Sequence, residues 1–261
     1  MLERSNVVYV YDGTYYGLMC CVFESFYSHE IPCAIVADSA QQLSMLPPKF
    51  IETDTDKAHR VMRSIPNKIS AKAEELVKLC FLSQLDDKEL LILDFLKKGY
   101  KYGARVVYML ADDTVNKISK AVKNLTNEAH HFKGFVRFKV YDDMMFSQIE
   151  PKNYVLPLIK HHFCDRFPNE SFVIYDKTHC QALVYKPYSS AIIQVDKVDL
   201  DEPDETEMKY QQLWRDYYNA IAIEQRYNPR CRMTHLPKRF WGDMTEFQSP
   251  SKLISKQKAE S

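Results

Sequence analysis

The sequence predicts an α+β fold. A helical N-terminal half opens on a short strand–helix–strand unit, an antiparallel sheet of about five strands carries one inserted helix, and a long C-terminal helix follows. Three observations predict this. Residues 7–37 read strand, helix, strand. Residues 56–131 keep helical spacing almost without a break. From Gly134 onward, short β-branched and aromatic runs alternate with polar turns.

In chain order, VVYVY at 7–11 has the β-branched and aromatic character of a buried strand. Asp12-Gly13-Thr14 breaks it: Gly13 permits a tight turn, and Asp12 or Thr14 can cap the next helix. Residues 15–28 are apolar nearly all round, which suits a central helix, and CAIVA at 33–37 reads as a second strand. Helices are expected over 56–65, 70–83, 87–99 and 112–131. Asp54 or Thr55 starts the first, Ser70 the second, and Gly99 and Gly103 end the third. GFVRFKV at 134–140 alternates apolar and polar residues, the period of a half-buried strand, and Asp142-Asp143 turns it into a hairpin with 144–149. Residues 153–167 suit a helix with Pro157 in its first turn. Strands follow at 171–176, 181–186 and 191–195, then a helix over 204–225 and an irregular basic stretch over 226–247. This organisation reads as a single α+β domain over 1–247, helical to 132 and sheet from 133, with a disordered tail over 248–261.

Composition narrows the function classes. The chain has 261 residues, with 35 Lys plus Arg against 35 Asp plus Glu, so its formal net charge is zero. That excludes a uniformly basic nucleic-acid coat and an acidic solvating chain. The charge is sorted, however. Residues 196–207 hold seven acids and one Lys. Residues 226–239 hold Arg226, Arg230, Arg232, Lys238 and Arg239 with no acid, and 117–139 hold six bases, Lys133 and Arg137 among them, against Glu128. Aromatics border both basic stretches: Phe132, Phe135, Phe138, Tyr227, Phe240 and Trp241. Cations neutralise phosphates and aromatic faces stack on unpaired bases, so Arg226, Arg230, Arg232, Lys238, Arg239, Trp241, Lys133 and Arg137 are candidate nucleic-acid contacts. The same residues also fit a solvated helix face and structural Arg pairs. The seven Cys are odd in number and scattered, with no C-x-x-C pair, which suits a reduced, cytoplasmic protein. No signal peptide and no membrane-spanning segment is expected.

Glu128-Ala129-His130-His131, His161-His162 and the group Asp176, His179, Cys180 carry candidate chemistry. Glu128, His130, His162 and Asp176 would surround a divalent metal or act as the acid–base residues of an enzyme on nucleic acid if the fold brings them together. Their spacing matches no metal motif; H-E-x-x-H is absent, and neither a resident metal nor a cofactor is expected. The alternative is a buried polar network at a helix–sheet junction. Walker A, G-x-G-x-x-G and G-x-S-x-G patterns are likewise absent, and Asp12-Gly13-Thr14 reads as a helix cap.

The motifs YVYDGTYYGLMCCVFES, TDTDKAHRVMRSI, EAHHFKGFVRF, IEPKNYVLPLIKHHFCDRFPNESFVIYDKTHCQALVY and RYNPRCRMTHLPKRFW run from about residue 7 to 247. Together they resemble a bacterial family of unknown function labelled "probable DNA metabolism protein". The resemblance implies a role in DNA repair or modification. It also implies a radical-SAM DNA repair protein as partner, since members sit beside such a protein and some are fused behind a uracil-DNA glycosylase domain. It supplies no catalytic residues. Asp12, Gly13, Thr14 and Arg166 carry over as family-motif positions only, as do Glu128, His130, Arg137, His162 and Asp176. His131 departs from the pattern, where Arg is usual. The chain has no GQDPYH-like motif, and it lacks the C-x-x-x-C-x-x-C run of a radical-SAM cluster. The expectation is an accessory protein that binds DNA, the radical-SAM partner, or both. A nucleic-acid-processing enzyme and a protein-binding scaffold without DNA contact are the alternatives.

Overall fold

The computed structural model describes residues 4–38, 46–141, 144–196, 198 and 205–248. The expected turn at Asp142-Asp143 lies outside them, as does the expected tail apart from Gln248. Packing divides the chain into two compact units, Met1–Leu125 and Thr126–Ser261.

The first unit is built around a three-stranded parallel sheet. Strands β1 (Val8–Tyr11), β2 (Ala34–Ala37) and β3 (Pro48–Phe50) lie in the order β2-β1-β3, with Val8 beside Ala34 on one side and Pro48 on the other. The strand–helix–strand opening is therefore as read; β3 is an addition, too short and too polar in PKF to announce itself. Helix α1 (Tyr15–Tyr27) makes the crossover to β2 and buries Gly17 through Val22 without a gap. Thr14 caps it, its hydroxyl accepting from the Gly17 N–H at 2.9 Å.

Three further helices follow: α2 (Thr55–Lys68), α3 (Ala71–Phe81) and α4 (Lys88–Tyr102). Asp54 caps α2 through the N–H groups of Asp56 and Lys57, and Ser70 caps α3 through that of Ala73. Helix α2 runs past Pro66, where the sequence placed its end. Gly103, with φ +62°, ends α4. Gly99 sits inside α4 because a Cβ there would lie 2.5 Å from Ile69 Cδ1. Tyr9, Leu18, Met19, Ile65, Ile92, Leu93, Phe95 and Leu96 are all fully buried in this core.

Leu125 lies inside α5 (Asp113–Phe135), so the division between the units falls within a helix. The helix continues through Gly134, correcting the strand expected over 134–140; only Lys139–Tyr141 form a strand, β4. GFVRFKV has period two, but Phe132 and Phe135 also share a helical face, and both rings meet Phe240 at 5.0 and 5.2 Å. Burial of that aromatic pair decides the conformation.

The second unit holds a five-stranded sheet in sequence order: β4, β5 (Met144–Ile149), β6 (Ser171–Asp176), β7 (Gln181–Lys186) and β8 (Ser189–Gln194). Three of its pairings are antiparallel, but β5 and β6 run parallel, Met144 beside Ser171. The inserted helix α6 (Leu156–Arg166) makes that difference, since parallel neighbours need a crossover where antiparallel ones need only a turn. Phe172 is fully buried, stacked on Tyr185 at 4.9 Å and met edge-on by Phe138 at 5.8 Å. The long C-terminal helix α7 is Glu205–Ala220, shorter than the expected 204–225. The stretch 226–247 is more ordered than expected: it forms α8 (Pro229–His235), capped by Asn228, and 3-10 turns at Lys238–Asp243 and Thr245–Phe247.

Candidate nucleic-acid interface

Two ion pairs set the local frame of the second unit. Glu128, on α5, is 2% exposed. Its oxygens accept from the Lys152 N–H at 3.1 Å, the Asn153 N–H at 2.8 Å and Asn153 Nδ2 at 2.7 Å, and Arg239 Nη1 closes the set at 2.8 Å. A buried carboxylate with four donors is a structural anchor, pinning the residues before α6 and the C-terminal segment to α5. Arg137 plays the corresponding part at the helix end. Its Nε and Nη2 grip Glu246 at 3.3 and 2.8 Å, Nη1 donates to the Gly134 carbonyl at 3.0 Å, and the guanidinium lies over the Trp214 ring at 5.8 Å. Burial alone would raise the Glu246 pKa, but the Arg137 hydrogen bond, helped by Trp214 Nε1, holds it below the ordinary glutamate value.

Arg137 also lines a groove of about 470 Å³. The end of α5 gives Lys133, the link to β4 gives Arg137 and Phe138, α6 and its exit give Arg166 and Phe167, and α7 gives Tyr210 and Trp214. Helical spacing puts Tyr210 and Trp214 one turn apart on one face of α7. Tyr210 is 65% exposed and its ring is open to a ligand; Trp214 is 40% exposed and already carries the Arg137 guanidinium over its ring. Lys133 and Arg166 are exposed. Among the described residues the single acid lining the groove, Glu207, accepts from the Val140 N–H and Gln211 Nε2. The result is a concave surface with cations on its rim and aromatic faces along its wall, which can neutralise phosphates and stack bases.

The candidate basic residues divide by what they touch. Lys133 takes no ion pair among the described residues, whereas the charges of Arg137 and Arg239 are met by Glu246 and Glu128. Arg232 packs its guanidinium over Trp241, Phe247 and Tyr227, at 5.0, 5.6 and 5.7 Å, and Trp241 stacks on Phe247 at 4.5 Å. Trp241 thus spends its face inside the C-terminal segment. Arg226, Arg230 and Lys238 are exposed and take no ion pair among the described residues. Glu246, Phe167, Tyr210 and Trp214 are the residues that sequence reasoning missed. Glu246 is 109 positions from Arg137, and no local pattern announces such a pair. Phe167, next to the motif residue Arg166, was the one with a signal.

The acid–base candidates have separate surroundings. His130 is exposed on α5, its ring 6.4 Å from that of His131. His131 stacks on Phe135 at 5.3 Å, and burial, then the His130 and Arg239 charges, lower its pKa. His162 sits on α6 against Phe163. Asp176, fully buried at the end of β6, accepts from the Thr178 and His179 N–H groups and meets His179 Nδ1 at 2.6 Å, tying the turn into β7. Among the described residues no group of three or more His, Cys, Asp or Glu could hold a metal ion. In the first unit Asp12 accepts from the Thr14 N–H and from the Thr14 and Thr53 hydroxyls. Burial opposes its charge, but these bonds hold its pKa down. Gly13, at φ +78°, makes the turn. A Cβ on Gly17 would come within 2.1 Å of Asp12 Oδ1, so this glycine is what lets the carboxylate approach α1.

No described helix is long and apolar enough to cross a membrane. Among family models, the one described as a domain of unknown function, DUF4130, matches residues 86–246, more than half of the chain. No curated protein matches it.

Proposed function

We propose, for a chain that belongs to the DUF4130 family of domains of unknown function, a role as an accessory protein of DNA repair or modification that holds single-stranded nucleic acid in the groove between α5, α6 and α7. The observation that carries the reading is the groove's composition. Lys133 and Arg166 supply charge that takes no ion pair among the described residues, Tyr210 supplies an open ring beside the partly exposed Trp214, and Glu207, the one acid among the described lining residues, is already bonded. Arg137 contributes less as a phosphate contact than as the residue that fixes the Trp214 ring. Arg226, Arg230 and Lys238 add exposed charge that takes no ion pair among the described residues, with Lys238 lying over the Trp241 ring at 5.9 Å. A single strand fits better than a duplex, because stacking needs unpaired base faces. The radical-SAM partner belongs to the same proposal and is supported by the sequence resemblance alone.

The test is binding of a fluorescent oligo-dT and of a duplex of equal length at low salt. The expected result is preference for the single strand, with loss of most affinity in the Lys133→Glu, Arg166→Glu double variant. Equal binding by that variant, or no binding by the native chain, overturns the reading.

A further inference from the structure

The first unit carries a concave surface that the nucleic-acid reading does not use. A cleft of about 600 Å³ opens between α1 and α2 with Tyr100 of α4 at its base. Val61 and Val22 form an apolar floor, and the Ser64 and Tyr100 hydroxyls bond to each other there. The α1 wall presents Phe26 and Tyr27, 40% and 75% exposed. These rings are held in place: Phe26 meets Tyr100 edge-on at 5.3 Å, and Tyr27 stacks on Phe23 at 6.1 Å. Monomeric proteins seldom leave ordered aromatic rings around an apolar hollow without a ligand to cover them.

The rim is cationic. Arg60 and Lys68 line the cleft from α2, and neither takes an ion pair among the described residues. Lys97 lies over Phe26 at 5.2 Å, and Arg60 over Phe23 at 5.8 Å. No carboxylate is among the described lining residues. Arg60, Ser64 and Lys68 fall on one stripe of α2, so the two cations stand two turns, about 12 Å, apart with the apolar floor between them.

We infer that this cleft is a docking groove for an acidic amphipathic helix of a partner protein. The floor and aromatic wall take the apolar anchors of such a helix at i, i+3 or i+4, and i+7. Carboxylates two turns apart on that helix meet Arg60 and Lys68. A nucleic-acid strand matches the cleft less well, because it brings a charge with every nucleotide, while the described lining between Arg60 and Lys68 holds valines, Ser64 and Tyr100 and no further cation. The inference does not rest on the nucleic-acid reading of the second unit.

The experiment uses the full chain and two labelled helical peptides of about 14 residues. Both carry Leu anchors at helical spacing; one has Glu and the other Lys at the positions two turns apart. Fluorescence anisotropy is measured on the native chain and on the Arg60→Glu, Lys68→Glu double variant, whose folding is checked by circular dichroism. The native chain is expected to bind the acidic peptide at least about tenfold more tightly than the basic one, and the double variant to reverse that preference. Tyr27→Ala is expected to weaken both combinations. Absence of acidic-peptide binding at millimolar concentration overturns the proposal. So does binding that ignores the charge reversal, or displacement of the peptide by oligo-dT, which would make the cleft a nucleic-acid surface instead.

Discussion

At the residue scale, the buried pairs decide which charges are available. Glu128 has the sequence context of a catalytic acid and the surroundings of an anchor. Glu128→Ala is expected to destabilise the chain by about 1–3 kcal/mol, because two backbone N–H groups and the Asn153 amide lose a buried acceptor, while Arg239, 40% exposed, can turn to water. Denaturant unfolding checks it; a variant as stable as the native chain would remove the anchoring role. Glu246 makes a pH prediction. Its pKa is lowered in the folded chain, so its pair with Arg137 contributes stability above the ordinary glutamate pKa of about 4.3. That contribution falls away as pH drops through the lowered value. Unfolding midpoints of the native chain and of Glu246→Gln are expected to differ at pH 7 and converge in acid; a constant difference would contradict the assignment. None of this pairing was legible in the sequence. Arg137 and Arg239 look like phosphate contacts until their distant carboxylates are seen, while the local caps at Thr14, Asp54 and Ser70 could be read directly because cap and partner lie within three residues.

At the element scale, α1 and α7 are the informative helices. Gly17 lies where α1 passes the Asp12 carboxylate, and a methyl group at 2.1 Å from Oδ1 cannot be accommodated without a shift. Gly17→Ala is expected to cost about 1–3 kcal/mol, as overpacking does, whereas Gly134→Ala, with open space around it, is expected to be neutral or stabilising inside a helix. Thermal unfolding of the two variants separates them. On α7, Tyr210 is exposed and is expected to act only through a bound base. Tyr210→Ala should leave stability within about 0.5 kcal/mol and lower affinity for a single strand by about 1–3 kcal/mol. Equal affinity would take α7 out of the interface. Helices with strong periodicity and caps were readable to within a few residues. The misreadings came where two periods coexist, at Gly134–Val140, and where pairing direction depends on what connects the strands, at β5 and β6.

At the scale of the whole molecule, zero net charge conceals two cation-rimmed hollows. Each unit has its own sheet and its own buried core, and each carries an open, cation-rimmed, aromatic-walled hollow. The fold class was legible because it rests on local periodicity. The hollows were not, because their walls come from helices far apart in sequence: Lys133 and Tyr210 in one, Phe26 and Tyr100 in the other. Charge counting found the basic stretches, and only the folded chain separates Lys133, Arg166, Arg226 and Arg230 from the bases already neutralised within. The central claim, that these exposed cations meet the phosphates of a single strand, is tested most directly by the salt dependence of oligo-dT binding. The account predicts a linear fall of log K with log salt, whose slope becomes shallower by about 0.7 for each of Lys133 and Arg166 replaced by Ala. A slope unchanged by both substitutions would contradict it.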